Sequence, residues 1–150
     1  MNGKKLLAAA LSTTTACWPL SVEASKRPRV PTMQDLATVW VGGNELEYLR
    51  LEVSESGIGV LTIQDLPHAP AHAYRVTRAV LHEYRVNFAV EPAEPKAEPI
   101  TVGGTVGAGR LELRIAGRTL DWKRSIVLER LSDLMARLDA VTKRAQELSR

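Results

Sequence analysis

At 150 residues the chain can bury one sizeable core, and 45% hydrophobic with 25% charged side chains is the balance of a folded globular domain. The formal net charge of +3 comes from charges that alternate in sign along most of the sequence, which leaves no basic stripe for a phosphate backbone. Three Trp, three Tyr and one Phe are too few for a base-stacking platform, so no nucleic-acid partner is expected.

The N-terminus reads as an address. "MNGKK" is positively charged, and "LLAAALSTTTACWPL" is apolar to small, but short of the ~20 apolar residues that span a bilayer. Pro19 then breaks any helix, and Val22 and Ala24 give the small-residue pattern that signal peptidase accepts. Residues 1–24 are therefore expected to be a signal peptide cleaved after Ala24, sending the protein to the periplasm or outside the cell. Without them 18 basic and 16 acidic residues remain, a net charge of +2. Cys17, the single cysteine, has two other readings: the acylated residue of a lipoprotein signal ending "TTAC", or a buried thiol in a cytosolic helix. Membrane contact is expected only through this segment or a lipid at Cys17. After cleavage the chain has no thiol, so its core alone must hold it together. Residues 25–33 are polar and carry two prolines, and read as a flexible linker ahead of a single domain, 34–150.

From Gln34 the hydrophobic period is two. The stretch around "LATVWVG" (36–42) reads as a strand, and "ELEYLRLEV" (45–53) alternates, with Leu49, Leu51 and Val53 on one face. "GIGVLTIQ" (57–64) follows the turn signal "SESG". In "YRVTRAVL" (74–81), Tyr74, Val76 and Val80 share a face on which Arg78 also falls. "YRVNFAV" (84–90) sets Tyr84, Val86, Phe88 and Val90 on one side. "EPAEPKAEP" (91–99) interrupts with three prolines and reads as a stiff projecting loop. "ITVGGTV" (100–106), "RLELRIAG" (110–117) and "TLDWKRSIVLE" (119–129) complete about eight short strands, with Arg124 on the apolar side of the last. Short, turn-bounded strands without intervening helices predict a mainly β fold. It is an antiparallel meander closed into a small barrel, the alternative being a two-layer sandwich.

The period then becomes 3.6. Over 132–149, Leu134, Leu138, Val141, Ala145 and Leu148 form an apolar stripe behind Ser132 and Asp133, predicting a C-terminal amphipathic helix. With Leu131, Leu138 and Ala145 at heptad a positions, the g positions are Arg130, Arg137 and Arg144, and the e positions Leu128, Met135 and Thr142. A parallel self-pair sets arginine against apolar or neutral residues and an antiparallel one sets arginine against arginine. The helix is therefore expected to dock on the outside of its own sheet, in a monomer.

Catalytic motifs are missing. His68 and His72 are four apart, but Pro67 and Pro70 preclude the helix that would make this a metal-ligand pair, and His82 reads as a polar turn residue. Glu45 and Glu47 share a strand face and read as surface carboxylates. "GGTVGAG" (103–109) lies between strands and reads as a hairpin turn, since a phosphate loop must open a helix. No G-x-S-x-G is present. The expectation is a non-enzyme without cofactor or metal.

A tryptophan on the first strand (Trp40 in "LATVWVGG"), a β-meander, an arginine late in the last strand (Arg124 in "LDWKRSI") and a closing helix together resemble the lipocalin-like, calycin-type barrels of small secreted bacterial proteins. Thr38 stands where those families have glycine. The resemblance implies a barrel-end pair in which Arg124 stacks on Trp40. Two functions follow. One is an exported carrier of a small apolar or amphipathic ligand, held by Tyr74, Arg78, Tyr84 and Phe88. The other is an envelope module, inhibitor-like or an assembly factor, whose side-chain-filled barrel binds another protein.

Overall fold

The computed structural model describes residues 29–65, 68–117 and 123–149, with the side chains of Lys123 and Arg124 excepted. Cys17, the 1–24 segment and the start of the linker lie outside the described residues. The chain is a closed antiparallel barrel in which each strand neighbours the next in sequence. Its elements are α1 (Met33–Leu36), β1 (Val39–Gly43), β2 (Glu47–Val53), β3 (Gly59–Asp65), β4 (Ala71–His82), β5 (Arg85–Pro92), β6 (Ile100–Val106), β7 (Arg110–Gly117), β8 (Lys123–Arg130) and α2 (Leu131–Leu148). The predicted eight-strand meander with a C-terminal helix is present, and it closes as a barrel rather than a sandwich.

Alternation in the sequence becomes inside and outside. Leu49, Leu51 and Val53 of β2 are buried between exposed Tyr48, Arg50 and Glu52, and Leu111, Leu113 and Ile115 of β7 do the same. These positions all face one core. Strand β4 breaks the rule. A register shift between Val76 and Arg78 inserts one residue, so Ala79 and Leu81 turn towards the core while Arg78 and Val80 face out. The single period read over Tyr74–Leu81 placed Val80 and Arg78 inside. A β-bulge reverses side-chain parity from its position onward, which is why that expectation fails.

The barrel closes at the β1–β8 seam through two register pairs, Trp40 with Arg130 and Val41 with Glu129. The β7–β8 ladder beside it has seven. Where the seam ladder ends, Gly42 lies so close to β8 that a Cβ would sit 2.5 Å from the Val127 carbonyl. A bare backbone at Gly42 permits this approach.

One end of the barrel is closed by α1. The Asp35 carboxylate accepts hydrogen bonds from the Thr32 amide (2.7 Å) and hydroxyl (3.0 Å) and from Arg29, fixing the turn. Leu36 is thereby set over the barrel end, and its carbonyl accepts a 3.0 Å bond from Trp40 Nε1. Both side chains are fully buried.

At the other end the proline-rich segment folds back rather than projecting. The Ala93 amide donates to the Ala73 carbonyl, the Tyr74 hydroxyl reaches the Glu98 carbonyl at 3.2 Å, and Ala97 packs on the core. The helix α2 differs from expectation in the opposite sense. It touches β1 and β8 at its base, where Leu131 and Leu134 are half-buried and Arg137 bonds Glu129 at 2.8 Å. No residue of α2 is buried.

Candidate functional site

A carrier needs a void of several hundred Å³ bordered by its inward side chains. Leu49, Leu51, Leu61, Val76, Leu111 and Leu113 have no accessible surface at all. A void of ligand size bordering them would leave them accessible surface. Towards the end away from α1, Glu47, Ile63, Ile100 and Ile126 keep 5–8% exposure. The bore of an eight-stranded barrel is just wide enough for its side chains to fill, and the buried inward residues of this one are mostly leucine, isoleucine and valine in a single cluster.

The four residues read as ligand-binding do not converge. Tyr74 and Phe88 are inside and almost fully buried. Arg78 is outside, turned there by the bulge. Tyr84 lies in the β4–β5 turn at the α1 end.

The barrel-end cation is Arg130. Its guanidinium carbon lies 5.6 Å from the centroid of the Trp40 ring, and the two residues are register partners. The backbone of Arg124 pairs instead with Ile115, six residues along β8 and so ~20 Å away; its side chain lies outside the described residues. Arg130 also lines a recess of about 230 Å³ with Arg29, Asp35, Tyr84 and Gly107, and its Nε is buried without a hydrogen-bond partner among the described residues. The Thr32 amide and then the Arg29 guanidinium hold Asp35 well below the usual carboxylate range, at about 2.

Two acidic residues are paired at the opposite end. Glu47 is buried, not a surface carboxylate, and stands directly across the β2–β3 ladder from Asp65. Both are engaged in interactions of their own. The parity of Glu47 with Leu49 was a signal that it points inward; its residue type argued for the surface. Glu45, in the turn before it, is exposed. The Tyr74 phenol at this end is pushed up by burial, and further by the charges of Glu98 and Asp65. His68 is exposed, His72 half-buried and His82 exposed, and no group of metal-ligating residues forms among the described residues.

Two features mark the outside. On the wall, Asn87, Gly103, Arg114 and Ser125 are successive register partners across β5 to β8. The missing side chain at Gly103 leaves a depression of about 390 Å³. Its rim is fixed where Glu112 accepts 3.0 Å and 3.4 Å bonds from Ser125 and Arg114. The second feature is α2, whose apolar stripe stands in water: Met135 and Leu138 are 50% exposed, Val141 62% and Leu148 83%.

These places present small polar side chains and a guanidinium on the wall, and an amphipathic helix held at its base. No family model, no curated protein and no solved structure matches this chain.

Proposed function

We propose that the protein is a non-enzymatic binding module of lipocalin-like build, in which the filled barrel is a rigid scaffold and a protein partner binds its outside. The observation that carries this reading is the interior. Leu49, Leu51, Leu61, Val76, Leu111 and Leu113 are fully buried, which argues against a ligand-sized void beside them and favours an interaction module over a carrier. The sequence supports it by lacking nucleophile, phosphate-loop and metal-ligand motifs. We also propose export with cleavage after Ala24, on the charge, length and small-residue pattern of residues 1–24.

Native mass spectrometry of the purified protein is the test. The bare protein mass is expected, together with no change in melting temperature after extraction with organic solvent. A stoichiometric small molecule released from the barrel refutes the module reading. For export, labelled palmitate that enters the protein and disappears in Cys17→Ser refutes cleavage after Ala24.

A further inference from the structure

The helix α2 is 18 residues long, ~27 Å, and from Met135 onward every described residue is exposed. Leu131, Leu134, Leu138, Val141, Ala145 and Leu148 nevertheless fall on one side of it at steps of three and four. In proteins most of a helix's stability comes from packing its apolar face. Its own barrel covers only the first turn.

The charges around the stripe select the cover. Arg137 and Arg144, seven apart, border one edge, and the other edge carries Met135 and Thr142. Arg137 is already neutralised by Glu129, whereas Arg144 meets no carboxylate among the described residues. A second copy is a poor occupant, because antiparallel pairing sets Arg144 against Arg137 and parallel pairing sets both against Met135 and Thr142. A lipid surface is also poor. Over Leu131–Leu148 three carboxylates offset three cations, and no aromatic residue lies on the apolar face.

We infer that α2 is a docking helix for an amphipathic α-helix of another protein that lays its apolar face on the Leu138–Val141–Leu148 stripe and carries carboxylates along the edge facing Arg144. This rests on the binding-module reading and names the partner's chemistry. The short contact of α2 with β1 and β8, tied by Arg137 and Glu129, holds the base of the helix and leaves the stripe accessible.

Two labelled 21-residue helical peptides test this, both with leucine at a and d, one with glutamate and the other with lysine along both flanking edges. Fluorescence anisotropy with the full chain is expected to give at least tenfold tighter binding of the glutamate peptide. Arg144→Glu is expected to reverse that order. Leu138→Glu is expected to abolish binding with the melting temperature of the barrel unchanged, since Leu138 is half exposed and outside the core. Equal binding of both peptides, or of neither, overturns the proposal. So does self-association in sedimentation that Val141→Glu removes, or binding to 3:1 phosphatidylethanolamine:phosphatidylglycerol vesicles without binding to the glutamate peptide. A natural partner that cross-links to the Gly103 wall and is retained by Leu138→Glu refutes this assignment and leaves the module reading intact. A small molecule released from the barrel refutes the module reading instead.

Discussion

Trp40 is where the most local chemistry meets. Its ring is fully buried, its Nε1 donates to Leu36, and Arg130 lies over its face. Trp40→Ala is expected to destabilise the barrel by about 3–5 kcal/mol, read from chemical denaturation, because α1 loses its anchor and the seam its largest side chain. Arg130→Met is expected to cost about 0.5–2 kcal/mol through the lost cation–π contact, against a smaller change for Arg124→Met. An equal or larger loss at Arg124 would return the barrel-end role to that residue. Two arginines lie late in the last strand, and only the β1–β8 register distinguishes them. Glu83 makes a different point. It adopts φ 53° in the two-residue turn between His82 and Arg85, a conformation that costs most side chains about 1–2 kcal/mol. Glu83→Gly is therefore expected to leave stability unchanged or raise it by up to about 1 kcal/mol.

Among the elements, the short segments at the two ends couple to pH in opposite directions. Asp35 has its folded-state pKa lowered to about 2, so its contribution to holding α1 is complete above the unfolded value near 3.8 and is lost as pH falls from there towards 2. Acid unfolding monitored by Trp fluorescence is expected to lose its component in that window in Asp35→Asn. The Tyr74 phenol is raised above the ordinary phenol value of 10.0, so its contribution is complete below about pH 10 and is lost as pH rises beyond it. A late-titrating phenol absorbance is expected, disappearing in Tyr74→Phe, which also frees the Glu98 carbonyl from its bond. For α2, hydrogen exchange is expected within the fastest class from Met135 onward, while the β7–β8 ladder exchanges slowest. Slow exchange along Leu138–Leu148 in the isolated protein would show that the stripe is covered.

At the scale of the molecule, closure decides what the barrel can hold. Eight strands tilt until β1 reaches β8, and the inward residues that this brings together are mostly Leu, Ile and Val. Their periodicity was legible along each strand from neighbouring residues alone, and so were the turns, the strand order and the C-terminal helix, because those are set by short-range propensity and patterning. Which arginine covers Trp40 was not legible, since it depends on register across a seam between the first strand and the last. The direction of Arg78 depended on one inserted residue in β4, and no local pattern marks it. The inward turn of Glu47 was written in its parity with Leu49, yet only packing could show that a carboxylate is tolerated there. The proline-rich segment read as an arm because its composition resists sheet pairing; its return to the core rests on Tyr74 and Ala97, contacts made across the fold.

The sequence by itself determined the class of fold, its strand order and the amphipathic character of α2, all properties of residues a few positions apart. Only the tertiary structure decided which inward side chains are fully buried and that α2 meets its own barrel at its base alone. Both depend on distances between segments far apart in the chain, and strand tilt, register and the β4 bulge set those distances rather than any local preference.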